Sequence, residues 1–122
     1  MADPVVRITD ESFEEETIAG NILVMIDFVS DWCSESQRTI PLVDELATRY
    51  PGQLRTRRID IDRNAETAVK CNVLNTPAIL FFRGGEELDR LTGKIAKTKL
   101  VSTLEGHLEP MPRPRRRART AR

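Results

Sequence analysis

The spacing of hydrophobic residues changes period several times along this chain, and each change marks an element. Val5-Val6-Arg7-Ile8 reads as a short strand. Thr9-Asp10-Glu11-Ser12 looks like a helix start, its acids suited to the positive end of a helix. Phe13, Thr17 and Ile18 give that helix an apolar side, and Gly20 ends it. Ile22 to Val29 is nearly all apolar and β-prone, broken only by Asp27, which is the pattern of a central strand covered on both faces. From about Cys33 to Arg49 the period becomes helical, with Ile40, Val43, Leu46, Ala47 and Tyr50 on one side. Pro41 lies inside that stretch, removes one backbone hydrogen bond and is expected to kink the helix.

Pro51-Gly52 stops the helix, and Leu54 to Ile61 alternates as a strand. Asn64 to about Cys71 reads as a short helix. Ala78 to Phe82, after Thr76-Pro77, is another strongly apolar strand. Gly84-Gly85 is a hairpin signal leading into Glu87 to Leu91. Lys97 to Leu108 forms the last helix, with Leu100, Val101, Leu104 and Leu108 on one face. The order βαβαβαββα predicts an α/β fold. Its central sheet is mixed, largely parallel with an antiparallel hairpin at one edge, and has helices on both faces.

Composition refines this picture in two places. The chain of 122 residues suits one domain with one modest core. Net charge is zero, yet residues 110–122 hold six arginines and no acid, which leaves 13 basic against 19 acidic residues upstream. An acidic domain over residues 1–109 is therefore expected to carry a disordered Pro/Arg-rich tail over residues 110–122. Such a tail suits an acidic protein partner or nucleic-acid phosphates, though it has no aromatic residue to stack on bases. No run of about 18 apolar residues exists, so no membrane span is expected. Met1-Ala2-Asp3-Pro4 lacks the pattern of a signal peptide, which points to a cytoplasmic protein. A monomer is expected.

The candidate chemistry centres on Trp32-Cys33-Ser34-Glu35-Ser36. Cys33 stands where the buried strand gives way to a helix, and backbone N–H groups at a helix N-terminus favour a thiolate. Glu35 opposes this, because a nearby carboxylate disfavours the thiolate. Ser36 occupies the position where a dithiol enzyme carries its second cysteine. Its hydroxyl either donates to the Cys33 thiolate or fills the space of a lost thiol. His107 reads as a surface residue. Zinc takes three or four ligands, and the sequence does not gather them, so no metal site is expected.

Taken together, these pieces resemble the thioredoxin family. Ile8 to Phe13, Ile26-Asp27-Phe28, Asp31-Trp32-Cys33, Pro41, Ile59 to Asp62, Thr76-Pro77, Phe81 to Glu86 and Gly93 come in the family's order. The resemblance covers Val5 to Leu108 and implies a thioredoxin fold. The departures are specific: WCSES replaces WCGPC, Arg58 stands for a usual lysine, and Thr76 for a common isoleucine. The resemblance implies that Cys33 is the nucleophile, Asp27 a buried proton relay and Thr76-Pro77 a cis-proline loop. It further implies a groove flanked by Trp32 and Gly93 that takes protein thiols or disulfides. Cys71 would lie on or just after the third helix, toward the active site. As a resolving thiol it would need a Cα within about 7 Å of Cys33. Burial of Asp27 without a partner would raise its pKa, and pairing with Arg58, a candidate partner, would lower it.

With one cysteine in the motif, attack on a disulfide remains open and intramolecular resolution does not. An atypical single-cysteine protein would need an external thiol such as glutathione, and no resident cofactor. It would then support monothiol reduction, isomerisation or deglutathionylation. The alternative is a redox-silent module that binds a partner in the groove. A monothiol glutaredoxin shares the C-x-x-S spacing, but Trp32, Asp27 and the Phe82-Arg83-Gly84-Gly85-Glu86 turn are thioredoxin-like. A serine placed deliberately to trap a partner would require one change, whereas Ser34 and Glu35 differ as well.

Overall fold

The structure, a computed structural model, describes residues 5–108. The Arg-rich tail lies outside the described residues. Five strands are β1 (Val6–Arg7), β2 (Leu23–Val29), β3 (Leu54–Asp60), β4 (Ala78–Arg83) and β5 (Glu86–Thr92). Four helices are α1 (Phe13–Thr17), α2 (Ser34–Ala47), α3 (Ala65–Lys70) and α4 (Lys97–His107). The strands form one sheet in the order β1-β3-β2-β4-β5. Every residue of β2 is buried, as its unbroken apolar run requires.

The sheet divides by direction. β1 and β2 pair with β3 in parallel, while β4 runs antiparallel to both β2 and β5. The expectation of a largely parallel sheet therefore holds for one half only. β4 enters from the end of the sheet where β2 and β3 finish, so its pairing with β2 is reversed. The hairpin closes through Gly84 and Gly85 at φ +61° and +85°. Two successive positive φ angles suit the right-handed twist of the strands and are cheap only for glycine.

Each face of the sheet has its own apolar cluster. Phe13, Val24, Ile26, Phe28, Leu80 and Phe82 pack on the α1 and α3 side, where Phe13 meets Phe28 and Phe82 edge to face. Leu23, Met25, Val43, Leu46, Phe81, Leu100 and Leu104 pack under α2 and α4. Ile18 departs from its expected place on the apolar side and is 58% exposed. The helix ends at Thr17, and Ile18 takes an extended backbone at its C-cap, which turns the side chain outward. Among the described residues, no helix is long and apolar enough to cross a membrane.

Candidate functional site

β2 ends in Val29, and the chain turns through Ser30 to Cys33 before α2 begins. The Cys33 N–H donates to the Ser30 carbonyl at 3.2 Å, closing that turn. Cys33 is the N-cap of α2, with an extended backbone. Its thiol lies 3.1 Å from the Thr76 carbonyl oxygen, and the Thr76–Pro77 peptide is cis. Gly93 completes this edge by donating its N–H to the Pro77 carbonyl at 3.2 Å. Its φ of +77° lies in the region that glycine tolerates best. Trp32 flanks Cys33 with 89% of its surface exposed.

The Cys33 pKa lies below its ordinary value. The Thr76 side chain is the largest cause, followed by the Ser36 backbone N–H. Burial opposes them, and the Ser36 side chain and the Glu35 backbone N–H add to the lowering. The thiol contact with the Thr76 carbonyl favours the protonated form, but several donors outweigh one acceptor. Glu35 therefore helps through its backbone. Its carboxylate faces Arg38 at 3.5 Å, which tempers the opposition expected from it.

Ser36 is fully buried and its hydroxyl is saturated. It accepts the Ser30 N–H at 3.1 Å and donates toward the Ser30 and Cys33 carbonyls, each at 3.0 Å. The hydroxyl thus spends its bonds mainly on backbone, and its effect on the thiol is secondary.

Beneath α2, Asp27 is wholly buried and pairs with Arg58, Nε to Oδ2 at 2.9 Å. Arg58 also reaches Asp44 on α2 at 3.0 Å, and Asp27 Oδ1 has no partner. Burial pushes the Asp27 carboxyl up to about 6, and the Arg58 charge offsets only part of that rise. The pairing anticipated from the sequence is present, yet desolvation dominates.

Cys71 is the C-cap of α3 and packs against the α1/α3 cluster. Both cysteines are free thiols. Burial, and then the Glu87 carboxylate, push the Cys71 thiol up. Three contributors escaped the sequence reading. Ser30 accepts the Trp32 N–H at 3.2 Å and donates to Asp62 at 2.7 Å. Asp62 sits beyond β3, so only the parallel β2–β3 register brings the two together. Arg90 on β5 donates to the Cys71 carbonyl at 2.8 Å and pairs with Glu87 at 2.6 Å, steadying the loop that leads to Thr76. Among the described residues, no group of three or more His, Cys, Asp or Glu could hold a metal ion.

Comparison with known proteins agrees with this architecture. The thioredoxin family model matches residues 4–106. Thioredoxin 1 of a Nostoc species is 32% identical over 102 residues, covering 84% of this chain and 95% of that protein. The thioredoxin of Pyropia yezoensis is 33% identical over 104 residues, covering 85% of this chain and 97% of that protein. A mutant thioredoxin from Halobacterium salinarum superposes with a TM-score of 0.79 at 25% identity, covering 92% of this chain and 99% of that one. The chain belongs to the thioredoxin family, a family of thiol–disulfide oxidoreductases.

Proposed function

We propose that this protein is a single-cysteine thiol–disulfide exchange protein whose mixed disulfides are resolved by an external thiol. One observation carries the reading: the position three residues after Cys33 holds a buried, fully hydrogen-bonded serine hydroxyl. Cys33 is the nucleophile. Thr76, Pro77, Trp32 and Gly93 form the edge that receives an extended substrate segment. Asp27 is the buried proton carrier beneath them, with Oδ1 free while Arg58 holds Oδ2.

For a glutathionylated protein the exchange balances in two steps. The Cys33 thiolate attacks the glutathione sulfur, the protein–glutathione S–S bond breaks, and the protein thiolate leaves and takes a proton that Asp27 relays from solvent. A second glutathione thiolate then attacks the Cys33–glutathione disulfide, forming oxidised glutathione and restoring the Cys33 thiolate. The protein sulfur is reduced and the incoming thiol oxidised. A reducing compartment such as the cytoplasm supplies that thiol. When the resolving thiol is another cysteine of the target, the same steps isomerise a disulfide.

The test is thiol release from a glutathionylated peptide with glutathione in excess. Wild-type protein should release it, and Cys33→Ser should not. Ser36→Cys should add insulin reduction with dithiothreitol, since the N-cap and the third helical residue are neighbours on the helix. Release by wild type no faster than by Cys33→Ser overturns the exchange reading. Appreciable insulin reduction without the Ser36→Cys change overturns its monothiol character.

A further inference from the structure

The turn that presents Cys33 is held from outside α2 as well as from within it. Ser30 is buried at 6% exposure, directly after the last residue of β2. A buried hydroxyl costs free energy unless both its donor and its acceptor sites are used. Here both are used. The hydroxyl donates to Asp62 Oδ2 at 2.7 Å and accepts the Trp32 backbone N–H at 3.2 Å. The order matters: a carboxylate can only accept, so Asp62 accepts the Ser30 hydroxyl hydrogen bond and turns the oxygen lone pair toward Trp32. Asp62 is itself fixed, its backbone N–H donating to Asp60 Oδ1 at 2.9 Å. Arg63, beside it, pairs with Asp60 and reaches Asp31 across the turn at 3.8 Å.

The backbone of Ser30 holds the other side. Its N–H donates to Ser36, and its carbonyl receives the Ser36 hydroxyl, the Gln37 side chain and the Cys33 N–H. Every polar group of Ser30 is therefore spent on Trp32, Cys33, Ser36 and Gln37, or on Asp62 in the loop that anchors them.

We propose that Ser30, oriented by Asp62, is a positioning residue that holds the Trp32–Cys33 turn so that the thiol meets Thr76. This inference rests on the exchange reading above. The Asp62–Ser30–Trp32 chain replaces a constraint that no local turn residue supplies, since Asp31-Trp32 has no glycine or proline to fix it.

Trp32 is the sole tryptophan of the chain, so its fluorescence anisotropy reports on this turn without a label. Two readouts are needed: that anisotropy, and the rate of Cys33 alkylation by iodoacetamide against pH in a Cys71→Ser background. Ser30→Ala should lower the anisotropy, slow alkylation at pH 7 about fivefold and move its pH midpoint upward. Asp62→Ala should do the same to a smaller extent, and the double variant should be no worse than Ser30→Ala alone, because one chain is cut twice. Ser30→Thr keeps the hydroxyl and should restore both readouts. Loss of thermal stability in Ser30→Ala with unchanged anisotropy and alkylation midpoint overturns the proposal, as do additive effects in the double variant. Neither readout needs a disulfide substrate, so a failed release assay beside these shifts would refute the exchange reading and leave the positioning role standing.

Discussion

The two faces of the sheet are built to different rules. Under α1 and α3 the interior is apolar, and its aromatic trio of Phe13, Phe28 and Phe82 packs edge to face. Under α2 the same sheet buries Asp27, Arg58 and Ser36. Each face also ends in a cysteine. Cys33 meets hydrogen-bond donors at the start of α2, and its pKa falls; Cys71 meets apolar neighbours and a carboxylate at the end of α3, and its pKa rises. The contrast shows that residue type alone does not make a reactive thiol. What differs is which backbone groups point at the sulfur, and helix ends present opposite ones.

The polar face carries a stability cost that the apolar face lacks, and Asp27 is where it is largest. Its carboxyl titrates at about 6 in the fold against 3.8 as the reference value. Below the lower value both folded and unfolded states are protonated and the group contributes nothing. Between the two, the unfolded chain ionises while the fold holds its proton, so stability falls as pH rises. Above about 6 the cost is complete, on the order of 3 kcal/mol from that separation. Asp27→Asn removes the titration. Urea unfolding at several pH values should show the variant gaining about 2 kcal/mol on wild type between pH 4 and pH 7. A difference independent of pH would mean that Arg58 already neutralises the burial penalty.

The two cysteines give the second, smaller contrast. Iodoacetamide at pH 7 should modify Cys33 faster than Cys71 by at least about tenfold, because a thiolate is the reacting species. Intact mass of Cys33→Ser and Cys71→Ser variants assigns each rate. Equal rates would erase the distinction drawn between the two helix ends.

Much of this was legible in the sequence, for identifiable reasons. β2 declared itself because seven consecutive buried positions need an apolar run, and Asp27 stood out as its one exception. Cys33 was legible because the period changes there from strand to helix. What stayed hidden were contacts made by register. Ser30 looks like any polar residue after a strand until Asp62, 32 positions on, meets it across parallel strands. Arg90 reads as one more charge on an edge strand, yet it holds the Cys71 carbonyl. Ile18 continues the helical periodicity in the sequence, but the helix ends at Thr17 and the backbone extends at Ile18.

The finest test of the contrast concerns Thr76 itself. Its side chain is the largest cause of the lowered Cys33 pKa, and its carbonyl oxygen faces the same sulfur. The two groups act in opposite senses: a hydroxyl donor stabilises the thiolate, and a carbonyl acceptor stabilises the thiol. Thr76→Val keeps the shape and the carbonyl but removes the donor. Only the acceptor then remains, so the pH midpoint of Cys33 alkylation should move upward and the rate at pH 7 should fall about threefold. Thr76→Ser retains a hydroxyl and should stay near wild type. Cys71 should be untouched by either change, because its pKa is set by burial and Glu87. An unmoved midpoint in Thr76→Val would transfer the lowering to the Ser36 and Glu35 N–H groups, and the reactive character of Cys33 would then belong to the helix start alone.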